Sequence, residues 1–158
     1  MVRLAAFQPD IAANLGAMIR IAVCFGVPLD VIAPCGFPFS VKAVRRSAMD
    51  YADRAEIHHH AGWEAFRAAL PGRMILATTA AAVPYWDHRF EVGDTLVMGR
   101  ESAGVPAEVH AAADRRVLVP MPGAGRSLNV AVTAGILLAE AQRQRLTVLP
   151  TDQSDKLP

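Results

Sequence analysis

The chain has 158 residues, with 53% hydrophobic and 20% charged, which suits one domain of ordinary size and excludes a disordered polymer. A chain of this length buries a sufficient core without disulfides or metals. The formal charge of +1, from 16 basic and 15 acidic residues, carries no nucleic-acid footprint by itself. Fourteen of the bases are Arg, against only Lys42 and Lys156. Arg suits bidentate phosphate contacts, although a GC-rich coding bias gives the same skew.

Residues 4–7 read as a strand rather than the apolar core of a signal peptide. A helix is expected over 14–25, where Met18, Ile19, Ala22 and Val23 recur at helical spacing. A strand at 29–33 ends in the turn-rich Pro34-Cys35-Gly36-Phe37-Pro38. A short basic helix over 41–49 carries Lys42, Arg45 and Arg46, and a weak strand at 55–58 leads to a helix at 62–70. Strands follow at 74–78, 95–98 and 117–119. A final helix spans 129–145, with Ala131, Ala134, Ile136, Leu137, Leu138 and Ala141 as its apolar positions. This alternation predicts one α/β domain over 1–150, with a mostly parallel sheet, helices on both faces and a polar tail at 151–158. No charge-free run reaches the ~18 residues a membrane span needs. No positioned base flanks Cys24 or Cys35, so the reading is a soluble, cytoplasmic protein with reduced core thiols.

Ligands in such sheets bind beyond the carboxyl ends of the strands, so the loops after 78, 98 and 119 are where chemistry is expected. Gly99-Arg100-Glu101-Ser102-Ala103-Gly104-Val105-Pro106 offers two glycines for tight turns and a carboxylate between them. The bland alternative is an ordinary turn with Glu101 on a helix dipole. Gly123-Ala124-Gly125 matches neither a dinucleotide fingerprint nor a P-loop. It leads to Arg126, Ser127 and Asn129, and either of the last two suits the N-cap of the final helix. Asn14 is an N-cap candidate, and Arg20, six positions on, is expected on a roughly neighbouring face of the first two turns. His58, His59 and His60 alternate in direction on an extended segment, so they do not converge on a metal.

Three segments in order, Asn14-x-Gly16-x-x-x-Arg20, Gly99-x-Glu101-x-x-Gly104-Val105-Pro106, and Pro120-Met121 with Ser127-Leu128-Asn129-Val130 through to Glu140, resemble the motifs of the SpoU branch of the SPOUT methyltransferases. The chain looks closest to the minimal tRNA ribose 2′-O-methyltransferases that act on cytidine or uridine at the wobble position. Ribosomal RNA, another tRNA position and a non-catalytic RNA-binding dimer are the alternatives. The resemblance implies a C-terminal deep trefoil knot and bound S-adenosylmethionine, held near Ala77, Gly99, Glu101, Gly104, Val119, Met121, Ser127 and Leu128. It also implies a homodimer through the first and last helices, without metal or membrane. Arg20, Ser127 and Asn129 would serve catalysis, and Asn14, Arg20, Arg45, Arg46 and Arg126 would meet tRNA. A guanidinium stays protonated, so Arg20 is expected to orient the ribose and phosphate rather than act as base. Ala80-Ala81-Ala82 and Ser47-Ala48 depart from the relatives' pattern and bear on RNA contacts.

Overall fold

Short apolar runs that can bury both faces build a parallel sheet, because helices must cover each side of it. The computed structural model describes residues 1–39, 51, 54–81 and 83–146. Within them the chain runs β1 (Arg3–Phe7), α1 (Ala12–Phe25), β2 (Leu29–Ile32), β3 (Ile57–His60), α2 (Trp63–Ala69), β4 (Met74–Ala77), β5 (Val83–Pro84) and a 3-10 turn (Tyr85–Asp87). It continues through β6 (Thr95–Met98), α3 (Ala107–Ala112) and β7 (Arg115–Leu118) to α4 (Val130–Leu146). The strands form one sheet in the order β3-β2-β1-β6-β4-β7-β5, with every pairing parallel. No described helix is long and apolar enough to cross a membrane.

Alternation along the strands splits the core in two. Leu4, Ala6, Leu29, Val31, Ile75, Leu96 and Met98 pack with Leu15, Met18 and Ile19 of α1 and Ala134, Leu137 and Leu138 of α4. Ala5, Phe7, Ile32, Met74, Leu76 and Val97 face the other way, under Phe66 of α2 and Val109 near α3's centre. The expected helices on both faces are therefore present. The C-terminal half of α4 is tied down by Gln144. Its Nε2 donates to the His88 carbonyl at 2.9 Å, and its Oε1 accepts the Phe90 N–H at 2.9 Å.

Several expectations need correction. Helix α1 begins at Ala12 behind Ile11, so Asn14 is not its N-cap but lies in its first turn. The third strand is Ile57–His60 rather than 55–58, because its register follows β2, with Leu29 opposite Ile57 and Ile32 opposite His60. Helix α3 and the two-residue edge strand β5 are additional to the expected elements; α3 buries only Val109, too little for a periodic signal. Cys24 is exposed rather than core, and Cys35 is half-buried. The basic helix over 41–49 and the tail over 151–158 lie outside the described residues.

The histidines each have a separate local role. His60 Nε2 is 2.7 Å from Oδ1 of the buried Asp30, which also accepts Arg3 Nε and Nη2 at 3.0 and 3.1 Å. His58 contacts Glu56 at 2.8 Å, and His59 stacks on Phe39 at 4.8 Å. Among the described residues no group of three His, Cys, Asp or Glu is placed to hold a metal.

Two stability predictions arise here. An added Cβ at Gly72 would lie 2.6 Å from the Gly93 carbonyl oxygen. Gly72→Ala is therefore expected to cost about 1–3 kcal/mol through forced backbone displacement, seen as a Tm several degrees lower in a thermal melt. His88 is buried, its Nε2 has no hydrogen-bond partner among the described residues, and burial pushes its pKa below the ordinary 6.5. Below pH 6.5 the unfolded chain takes up a proton that the folded chain resists, so stability is lost as pH falls from that point. His88→Gln is expected to flatten the decline in Tm between pH 7 and pH 5. An unchanged decline would assign it to other groups.

Candidate active site

The carboxyl ends of β4, β6 and β7 open into one cavity of about 520 Å³, within the ~300–1,000 Å³ range of small-molecule sites. Its floor is Ala77, Met98 and Val117, and its walls are the turn after β6 and the segment that leads into α4. The β6 turn is closed by two backbone bonds, from the Arg100 N–H to the Gly104 carbonyl at 2.9 Å and from the Gly104 N–H to the Arg100 carbonyl at 3.0 Å. Gly104 has a φ of +63°, and a Cβ on Gly99 would come 2.9 Å from Gly104's carbonyl carbon. Only glycine suits either position.

One chain of side-chain hydrogen bonds joins three distant segments along the cavity wall. Glu101 Oε2 accepts the Asp10 N–H at 2.8 Å, and its Oε1 accepts Asn14 Nδ2 at 2.9 Å. Asn14 Oδ1 then accepts Asn129 Nδ2 at 2.9 Å. Asn129 Oδ1 is left to cap α4, accepting the N–H groups of Ala131 at 2.9 Å and Val132 at 3.3 Å. The carboxylate is acceptor-only, so it sets the orientation of both amides in turn. Beside this relay, Asp10 Oδ2 accepts the Ser102 hydroxyl and, at 3.1 Å, its N–H. Those bonds, with the field of Arg100, hold the Asp10 carboxyl below the usual range despite some desolvation.

The sequence-selected residues divide sharply. Ala77, Gly99, Glu101 and Gly104 line the cavity, as do Val119, Met121, Ser127 and Leu128, and so do Asn14 and Asn129. Arg20 does not. It is exposed on α1, with its guanidinium 4.8 Å over the Tyr51 ring. Six residues turn it about 240° from Asn14, so the two are not on neighbouring faces as expected. Arg126 is exposed and off the cavity wall. Arg45, Arg46, Ser47, Ala48 and Ala82 lie outside the described residues.

Sequence reasoning missed Ile11, Thr78, Thr79 and Arg100 in the lining, and Asp10 and Gln8 behind it. Gln8-Pro9-Asp10 directly follows β1, and the rule that ligands gather beyond carboxyl ends, applied to every strand, would have found it.

Comparison with known proteins shows the family of the chain. The family model described as SpoU rRNA Methylase matches residues 1–139. A tRNA (cytidine(34)-2'-O)-methyltransferase of Beijerinckia indica is 49% identical over 144 residues, covering 89% of this chain and 90% of that protein. A solved structure described as giving insight into the 2-OH methylation of C/U34 on tRNA superposes with a TM-score of 0.88 at 37% identity, covering 93% and 97% of the two chains. An AdoMet-bound rRNA methyltransferase from Sinorhizobium meliloti superposes with a TM-score of 0.80 at 28% identity, covering 94% of this chain and 57% of that one. With its three motif segments gathered around one cavity and a family match over nearly its whole length, the chain belongs to the SpoU methylase family.

Proposed function

We propose that the protein transfers a methyl group from S-adenosylmethionine to a ribose 2′-hydroxyl of tRNA, at cytidine or uridine in the wobble position. The observation that carries this reading is the Glu101–Asn14–Asn129 relay, which builds the family's three motif segments into one wall. Relatives and a structural neighbour whose names specify position 34 supply the substrate.

The residues present fit the cofactor. The cavity has the right size, a mixed apolar and backbone-rich lining, and glycines at 99 and 104 that keep the main chain close to its edge. Bound there, S-adenosylmethionine supplies a methyl group on a sulfonium, ready for in-line displacement. Ala77, Met98, Val119, Met121 and Leu128 would hold it and exclude water, with backbone groups of Gly99 as polar partners. Glu101 has both carboxylate oxygens committed to Asp10 and Asn14, so it positions the wall rather than moving the proton. Ser127, exposed at the cavity edge, is the hydroxyl that would orient the ribose. Alignment of hydroxyl and methyl supplies much of the rate. A positive charge beside the developing alkoxide supplies much of the rest.

Arg20 is that charge, acting from a second copy. It is exposed and absent from its own cavity wall, which supports a homodimer in which α1 and α4, adjacent on one sheet face, form the interface. The trefoil knot belongs to the same proposal. It is supported by the family match, with the 119–129 segment leading from β7 to α4, which packs against α1 and β6. The test is incubation with labelled S-adenosylmethionine and unmodified tRNA, followed by mapping of the label. A methylated ribose at position 34 is expected. Label on a base, or in ribosomal RNA alone, would overturn the reading.

A further inference from the structure

Arg100, in the turn after β6, is the one part-buried arginine among the described residues that makes no direct ion pair. Arg3 pairs with Asp30 at 2.9 Å, and Arg73 pairs with Asp94 at 2.8 Å and with Glu91 at 2.9 Å. Arg100 Nη2 donates instead to the neutral carboxamide oxygen of Gln8. Its Nε is buried and meets no acceptor among the described residues. Asp10, the acid that feels its field, is committed to Ser102.

Both ends of this arrangement are fixed. The Arg100 main chain is pinned to Gly104 by two bonds. Gln8 has a left-handed φ of +46°, its Nε2 donates to the Ala33 carbonyl at 3.3 Å, and its own N–H donates to the Ile32 carbonyl at 2.9 Å. A partly buried cation whose Nε meets no acceptor among the described residues, and on which Asp10 acts only through its field, is incompletely compensated. Holding one on rigid supports at a cavity edge is the arrangement expected of an anion site whose partner arrives with the ligand.

We propose that Arg100 clamps a backbone phosphate of the substrate RNA and so positions the ribose. The inference rests on the methyl-transfer reading. A ribose presented for 2′-O-methylation carries a phosphodiester on the adjoining 3′-oxygen, so an anion necessarily accompanies the reactive hydroxyl into the site. Arg100 lines the cavity while reaching toward the carboxyl end of β1, away from β7 and the 119–129 segment. That places its charge on the side left for RNA. The planar guanidinium suits phosphate.

The test measures tRNA binding against KCl concentration for protein saturated with S-adenosylhomocysteine, using wild type, Arg100→Ala and Gln8→Glu. Gln8→Glu keeps Arg100 but gives it an internal carboxylate, and it tests the idea even if Arg100→Ala folds poorly. Both variants are expected to bind tRNA on the order of tenfold more weakly, with the slope of log Kd against log salt smaller by about one. Cofactor affinity, measured by calorimetry, should stay within about twofold of wild type while that slope falls, since Arg100 meets phosphate rather than cofactor. Unchanged slopes in both variants would overturn the clamp and leave methyl transfer standing. Loss of cofactor affinity with tRNA binding intact would also overturn it, assigning Arg100 to a cofactor carboxylate. Absence of tRNA binding by wild type would overturn the methyl-transfer reading and this inference with it.

Discussion

Arg20→Ala is expected to lower methyl transfer by roughly 10²- to 10³-fold, the scale of removing one preorganised charge from a reacting centre. Cofactor affinity should stay within about threefold, because cofactor binding is unaffected by a group that acts only on the reacting ribose. The fold should survive as well. Arg20 is exposed, and its contact with the Tyr51 ring at 4.8 Å is of a kind worth about 0.5–1 kcal/mol at exposed sites. Arg20→Lys should recover only part of the rate, since an ammonium lacks the planar fork.

Mixed dimers decide whose site Arg20 serves. If the partner's Arg20 completes each site, Arg20→Ala mixed with Gly99→Ala, which crowds Gly104, should regain activity that neither variant has alone. The subunit with the intact cavity then receives Arg20 from the other. If Arg20 served its own chain, both sites of the mixed dimer would stay dead. Loss of cofactor binding in Arg20→Ala alone would place the residue in the methionine pocket instead.

The sheet was legible because its strands are short apolar runs bounded by Gly, Pro and Asp, and such runs have few other ways to be buried. The cavity lining was legible where the second and third motif segments follow β6 and β7; the first, inside α1, was reached only through the family resemblance. What could not be read were contacts between residues far apart in the chain. Asn14 meets Asn129 across 115 positions, and Arg100 meets Gln8 across 92. Neither partner announces the other by spacing. Asn14 also misled, because an asparagine near a helix start suggests a cap, whereas here its amide is taken by the relay. The third strand slipped because His58-His59-His60 carries no apolar signal; pairing with β2 alone makes it a strand. Arg20 showed the limit of helical geometry within one chain, since its reading as a site residue needs a second copy.

Glu101→Gln is expected to be far more damaging than its size suggests. A glutamine has one acceptor oxygen where two donors, the Asp10 N–H and Asn14 Nδ2, now converge. If its NH₂ faces Asn14, that amide must turn over to accept, which aims its own NH₂ at Asn129. Asn129 must then turn as well, and its NH₂ meets the Ala131 and Val132 N–H groups it now caps. The mismatch moves along the relay but does not vanish. Wherever it rests, one donor is left unpaired, at about 1–3 kcal/mol for a fully buried group and toward the low end at this partly exposed site. With about 2–4 °C of Tm per kcal/mol for a chain of this size, a drop of several degrees should be measurable. Displacement of the cavity wall by even about 1 Å should also lower turnover on the order of 10²-fold. Asn129→Ala loses the cap, for about 1 kcal/mol, but it also frees Asn14 to turn toward a glutamine without meeting another donor. Glu101→Gln should therefore cost little stability in the Asn129→Ala background. Melting temperatures of the two single variants and the double variant form the cycle that tests this. Costs that add to within about 0.5 kcal/mol would mean that the three side chains do not act as one relay, whereas a double variant no worse than the costlier single would show that they do.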